Sequence, residues 1–252
     1  METTTLIAAG WFGNKLLGET IDKIGNDLSN LYEKVRDKII EKAIKKTPNI
    51  DQSGQTNLRV TKDVLWNGSF TEEEICAEYF GDVLASSRTE DGQDDSGIFF
   101  LDIIKSLSAE QLKMHYMIYR ALNKIWVADD QKKRINPGQE ADLVSERLLF
   151  PLLVSKLNTG KYDPGFILHG LRSKGLIGDF KTDKHLVNSS RVMPYLEVQP
   201  TSLGIQLFAI ANNKLESWRN FSSLDFGNFD NIDLPQNYAQ SLDELLKKIG
   251  LQ

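Results

Sequence analysis

Cysteine and histidine are scarce in this chain: Cys76 stands alone, and the only histidines are His115, His169 and His185. A lone thiol forms no internal disulfide and brings no second thiolate to zinc. None of the histidines lies at a metal-binding spacing from another histidine, a cysteine or a carboxylate. No metal ligand and no cofactor is therefore assigned. Cys76 falls beside an apolar helical stripe, where a thiol acts as a small buried hydrophobe rather than a nucleophile. His115, in a strongly helical segment four residues before Tyr119, reads as a hydrogen-bonded core histidine. A phosphate-binding glycine loop, a nucleophile elbow and an HExxH pair are all missing, so no catalytic residue is assigned and a non-enzyme is expected. The acidic run from Glu90 to Asp95 invites a calcium reading and fails it. A loop beginning at Asp91 has Ser96 at the sixth position, which needs glycine, and Asp102 at the twelfth, which needs a bidentate glutamate. Helix-capping carboxylates in a solvated turn fit better.

Long apolar runs are missing too. Nothing approaches the roughly 20 residues that span a bilayer, and no charged-then-apolar leader opens the sequence. The expectation is a cytoplasmic protein, with peripheral contact at the inner membrane as its one membrane option. Basic charge is in deficit, with 30 Lys and Arg against 35 Asp and Glu and a net charge of −5. That excludes a protein whose whole surface binds nucleic acid, though not a local basic face. The 252 residues, 40% of them hydrophobic, suffice for one large or two small cores.

What is present first is an amphipathic arm, residues 1–46. Leu17, Ile21, Ile24, Leu28, Leu31 and Val35 alternate steps of four and three, the seam of a helix that packs on another helix. Upstream, Trp11 and Phe12 sit together in an uncharged apolar stretch. These eight residues are the candidate self-association or membrane-contact set, and a homo-oligomer or protein partner is the expected use. A lipid interface is the sharper alternative, but Glu19, Asp22, Asp27 and Glu33 nearly cancel the lysines that would attract anionic lipid. The polar segment from Thr47 to Thr56, with Pro48 and Gly54, separates the arm from the rest of the chain.

The helical core is assigned to 57–157. Asn57 to Trp66 is ambiguous between strand and short helix. Thr71 with Glu74 forms a capping box, and Phe70 is placed to pack on Ile75 as a hydrophobic staple. The helix that starts there carries Ile75, Tyr79, Phe80, Val83 and Leu84 as one buried stripe, with Glu72, Glu73 and Asp82 expected in water. Ile98 to Leu107 supplies a strongly apolar second helix. A second capping box, Ser108 with Gln111, opens a third that runs to about Asn123. The charged stretch around Gln131 to Arg134 reads as solvated surface. Helical periodicity then resumes from Glu140, with Pro151 expected to kink or divide it.

The acidic helix ending in Leu84-Ala85-Ser86-Ser87, the polar turn, the helix around Phe99 and Phe100, and Leu107-Ser108 opening another helix form a pattern that resembles the Abi-alpha family, named for abortive phage infection. The glycine-punctuated N-terminus and Pro200-Thr201-Ser202-Leu203-Gly204 also resemble parts of that family, so the likeness extends from the arm to Ala211. It implies bacterial antiviral defence and carries no established catalytic residue to transfer.

Residues 158–252 look like a winged helix. Asp163 and Pro164 are an N-cap and first-turn pair, and a short helix comes next, closed by Gly175. Leu176 to Thr182 and Tyr195 to Gln199 make a hairpin, and Thr201 to Ala211 a packing helix. Arg172, Lys174, Lys181, Lys184 and Arg191 form the candidate nucleic-acid-binding set. A helix so apolar has few groups to read base edges, so a structural or protein-binding use is favoured over nucleic acid. Ser241 with Glu244 caps a last amphipathic helix. The reading as a whole is a mainly α protein: an amphipathic arm, a helical core and a winged-helix-like C-terminal half with a small β-hairpin. It acts by binding or assembly in antiphage defence, with a winged-helix nucleic-acid-binding regulator as the alternative.

Overall fold

A computed structural model describes residues 21–47, 54–68, 73–128, 135, 143, 145–152, 164–188, 191–230, 232–234 and 236–251, with the side chains of 21–31, 188 and 191 outside the described set. The protein is mainly helical, with small antiparallel sheets. Its elements are α1 (Ile21–Lys46), β1 (Gln55–Thr56), α2 (Leu58–Gly68), α3 (Glu74–Ser86), β2 (Arg88–Thr89), α4 (Gly97–Lys105), α5 (Ala109–Ala128), β3 (Leu148–Pro151), α6 (Pro164–Ser173), β4 (Ile177–Asn188), β5 (Arg191–Pro200), α7 (Ser202–Ile210) and α8 (Leu242–Lys248).

The centre of the molecule is α3. Every residue from Ile75 to Ala85 is buried, because α1, α2, α4, α5 and α7 all pack around it. This corrects the expected one-sided stripe: Asp82 is fully buried rather than in water. Residues 69–72 lie outside the described set, so the Thr71 cap and the Phe70 staple do too. In the structure Glu73 takes the extended N-cap position of α3 without a side-chain cap bond. The second capping box is present in both halves: the Ser108 N–H donates to Gln111 Oε1 at 2.8 Å, and the Gln111 N–H donates to Ser108 Oγ at 3.2 Å. The ambiguous stretch after Asn57 is helical, as α2.

The periodicity read after Glu140 does not produce a helix at Pro151. Leu148 to Pro151 form β3, all four residues buried, in register with β5 from Leu148 opposite Val198 to Pro151 opposite Tyr195. A short wholly apolar run carries no period that separates strand from helix, and proline is tolerated where an edge strand ends. The sheet order is β3-β5-β4, and the β4–β5 hairpin is longer than the expected strands. One face of this sheet is covered by α8, where Leu245 and Leu246 join Leu149, Met193, Tyr195 and Ala239 in a small second cluster.

One large apolar cluster runs through all three stretches of the chain. It takes Val35 and Ile39 from α1, Tyr79 and Leu122 from the middle, and Leu168, Phe208 and Phe229 from the C-terminal half. The polar segment after Lys46 therefore joins α1 to a core that α1 itself enters. Among the described residues, no helix is long and apolar enough to cross a membrane.

Candidate functional site

Charge, rather than further apolar surface, distinguishes the contact between α1 and α3. Glu74, Glu78 and Asp82 recur every four residues on α3, so they lie above one another on one face. Lys38, Lys42 and Lys46 do the same on α1. The two series meet rung for rung. Lys38 pairs with Glu74, Lys42 Nζ lies 2.5 Å from Glu74 Oε1 and donates to Glu78 Oε1 at 2.6 Å, and Lys46 Nζ stands 3.6 Å from Asp82 Oδ2. Since both numberings rise together, the helices run parallel. The loop after Phe229 closes the arrangement: the Asp230 N–H donates to Glu78 Oε1 at 3.3 Å, and the Asp230 carboxylate pairs with Lys45 and approaches Lys42 at 3.5 Å.

Such close approach depends on Gly81. A Cβ there would stand 2.7 Å from Lys42 Cβ and 2.9 Å from the Ile39 carbonyl oxygen, so only hydrogen leaves room for the α1 backbone.

The electrostatics are those of dehydrated charge. Lys42 is 7% exposed, Glu78 1% and Asp82 0%. Burial opposes the Lys42 ammonium, but its hydrogen bonds to Glu74 and Glu78 outweigh that and raise its pKa. Burial likewise opposes ionisation of Glu74, yet Lys38 and Lys42 pull its carboxyl below the usual range. Asp82 goes the other way. Burial holds its carboxyl well above the ordinary value; Lys46, 3.6 Å away, opposes that only in part, and the neighbouring Glu78 adds to the rise. Both Asp82 oxygens and Glu78 Oε2 lack a hydrogen-bond partner among the described residues. Buried ion pairs of this kind add little net stability over apolar residues of the same shape, but removing one partner and leaving the other charge buried is strongly destabilising.

A second buried network lies beside it, one residue on from Glu78. Tyr79 Oη is 2.5 Å from His115 Nδ1, and His115 Nε2 is 3.1 Å from the Gly204 carbonyl oxygen. A carbonyl only accepts, so Nε2 carries the proton, Nδ1 accepts, and Tyr79 donates. Tyr119 donates to the Leu176 carbonyl at 2.5 Å and accepts from the Thr201 N–H at 3.0 Å, while Thr201 Oγ1 caps α7 at the Gly204 N–H. Burial pushes Tyr119 up to about 12 and His115 down to about 3. These bonds tie α3, α5 and α7 together, which makes the network a structural joint.

The depressed His115 pKa gives a pH dependence with a defined sign. The unfolded chain takes up a proton at the ordinary value of 6.5 and the folded chain does not until about 3. Stability contributed by neutral His115 is thus complete above pH 6.5 and is lost as the pH falls from there toward 3, at about 1.4 kcal/mol per pH unit. Buried Asp82, whose raised carboxyl pKa works in the opposite direction over part of this window, is common to both proteins, so the difference in urea-denaturation stability between wild type and His115→Gln should show this slope.

Four of the five basic residues singled out in the sequence have described side chains. Arg172 is tied to Asp179 at 2.8 Å, and Lys181 to Glu197 at 3.1 Å. Lys181 pairs in register with Glu197 and Lys184 with Pro194, three positions apart along β4, so the two lysines stand on opposite faces of the hairpin. Lys174 and Lys184 are exposed, and the Arg191 side chain lies outside the described residues. Of the candidate arm, Trp11, Phe12 and Leu17 are outside the described residues. Ile21, Ile24, Leu28 and Leu31 belong to α1 with side chains not described, and Val35 is buried in the core. Cys76 is buried, and the acidic turn caps itself, Asp91 Oδ1 accepting from the Gln93 N–H at 3.1 Å. Among the described residues no group of histidine, cysteine and carboxylate side chains could hold a metal ion.

The charge ladder was not anticipated from sequence, although its signal is there: acids at 74, 78 and 82, and lysines at 38, 42 and 46, both at helical spacing. Comparison with known protein families, characterised proteins and solved structures finds no match to this chain.

Proposed function

We propose that this chain is an antiphage defence protein of the abortive-infection type, working in the cytoplasm by binding and assembly rather than by catalysis. The observation that carries this reading is α1: a 26-residue helix with a three-four apolar seam in its sequence, held on the body by matched charge. A helix built in that way is a recognition element. The setting rests on the resemblance to the Abi-alpha family, and the segments of this chain that carry that resemblance lie at joints of the fold. Ser87 Oγ donates to the Leu84 carbonyl at the end of α3, Ser108 opens α5, and Thr201 with Gly204 starts α7.

The test is Ile24→Asp with Leu28→Asp. Two buried unpaired charges would cost several kcal/mol in a helix pair. The double variant should remain soluble, show a lower mass in light scattering and fail to reduce phage plaques when expressed in a host. If α1 instead meets lipid, the same variant loses liposome flotation at unchanged mass. Retention of mass, flotation and protection refutes the proposal.

A winged-helix reading draws support from one observation, the β3-β5-β4 strand order with α6 placed between β3 and the hairpin in the chain. As a nucleic-acid binder it would use Arg172, Lys174, Lys181, Lys184 and Arg191. Phosphate contacts require that duplex affinity fall steeply with salt, and absence of binding at low salt eliminates this alternative.

A further inference from the structure

We propose that the outer edge of β4 pairs with the same edge of a second copy of this chain, antiparallel and about a two-fold axis at Thr182. This surface goes beyond the assembly reading above: it takes no residue from α1 and pairs whether or not α1 does. The two outer strands of the β3-β5-β4 sheet end differently. The outer side of β3 is closed, because Leu149 and Ala239 exchange both backbone hydrogen bonds, at 2.8 and 3.1 Å. Among the described residues no strand lies outside β4, which is 12 residues long.

A proline fixes which backbone groups face outward. Lys184 lies opposite Pro194, which has no N–H, and the Pro194 carbonyl accepts from the Leu152 N–H on the β3 side at 2.9 Å. Lys184 therefore turns its own N–H and carbonyl away from β5, and by alternation Thr182 and Phe180 do the same. The Lys184 N–H meets only the neighbouring carboxylate, Asp183 Oδ1 at 2.7 Å. Lys181, Thr182, Asp183 and Lys184 are all exposed. An edge carrying one sign of charge repels a second copy in every register, but this edge is complementary to itself. With Thr182 opposite Thr182 of the second copy, Lys181 faces Asp183 in both rows and Phe180 faces Lys184, a ring against a cation. Moving the axis one residue either way sets Lys181 against Lys181 or Asp183 against Asp183, which like charge penalises. The rows continue into the sheet, where Lys181 holds Glu197 at 3.1 Å and Asp183 accepts from Tyr195 Oη at 3.2 Å.

Two variants of opposite charge test the pairing. Lys181→Glu makes the edge acidic on both sides of Thr182, and Asp183→Lys makes it basic on both sides. Each alone sets like charges against each other in both rows, whereas one copy of each matches both rows. The readout is local: hydrogen exchange at the Phe180 and Thr182 amides, which meet water in a single chain and are bonded in the pair. In the full-length wild-type protein these amides should be protected, with protection falling on dilution. Either variant alone should exchange them faster by about tenfold or more, and an equimolar mixture should restore protection. Thr182→Pro removes an outward N–H and leaves every bond to β5 in place, so it should keep the wild-type denaturation midpoint and lose the protection at Phe180.

Fast exchange at Phe180 and Thr182 at every concentration of the wild-type protein overturns the pairing, and so does protection retained by Lys181→Glu or Asp183→Lys alone. Protection that does not change on dilution, in a particle of one 28.5 kDa chain, means that the edge is covered from within the chain and overturns it equally. A mixture of the two charge variants that stays unprotected overturns the register. None of these outcomes bears on the seam of α1, which the β4 variants leave unchanged and which stands or falls on Ile24→Asp with Leu28→Asp.

Discussion

Gly204→Ala should unfold this protein or leave it a small fraction of its stability. The added methyl would fall well inside van der Waals contact of the Tyr119 hydroxyl and the Leu176 carbonyl oxygen. Neither can step aside cheaply. Tyr119 Oη is fixed by its bond to that same carbonyl and by the Thr201 N–H, and the Gly204 carbonyl holds His115. Relief requires moving α7 away from α5, which breaks the Tyr79–His115–Gly204 chain and opens the core around Phe208. A loss of about 4 kcal/mol or more is expected, at the far end of single-substitution effects, against a total of about 5–15 kcal/mol for a typical domain. Urea or thermal denaturation reads it directly. A midpoint within error of wild type would mean that α7 is not seated against Tyr119.

What the sequence made legible was local. The Ser108–Gln111 box, the helix it opens, the hairpin and the capped C-terminal helix are each specified by residues within a few positions of one another, and each is present. The misses share one cause, a partner far along the chain. Leu148 to Pro151 form a strand because Val198 to Tyr195 lie opposite, and nothing inside four apolar residues distinguishes that from a helical turn. Asp82 was placed in water because an acid on an amphipathic helix normally is. It is buried because α1, brought back from far upstream in the chain, covers it.

The loop from Phe221 to Asp230 shows the same logic. Its composition reads as a tail, yet Phe221, Phe226 and Phe229 are buried. Arg120 holds Asp225 and Asn228, and Asn123 donates to the Phe221 and Leu224 carbonyls. A polar residue on a predicted helix is ambiguous until its partner is known. Only the spacing of Glu74, Glu78 and Asp82 against Lys38, Lys42 and Lys46 could have paired the two helices in advance.

Gly81 connects this packing to the proposed activity, and a graded series there should separate stability from docking. In an exposed helix interior Gly→Ala stabilises by about 1 kcal/mol, so the sign alone is informative. Here the methyl would meet Lys42 Cβ and the Ile39 carbonyl, and backbone cannot rotate out of the way. Gly81→Ala should therefore destabilise, with about 1–3 kcal/mol of overpacking exceeding the gain in helix propensity. Gly81→Leu cannot be accommodated without lifting α1 from α3. Lifting α1 carries Lys42 away from Glu74 and Glu78 and strips Val35 and Ile39 from the core, so the cost should exceed that of alanine by several kcal/mol.

The signature of undocking is specific. Protease sensitivity should appear between Lys38 and Lys46 in Gly81→Leu, while the hairpin and α8, whose shared cluster takes no residue from α1, stay protected. Because α1 is the proposed recognition element, the same variant should lose protection against phage, whereas Gly81→Ala should keep part of it in proportion to the α1 that remains docked. A Gly81→Ala variant more stable than wild type would show that α1 does not pack on α3 at this distance. A Gly81→Leu variant with α1 cleaved and full phage protection would show that the helix is bound to the body for stability alone.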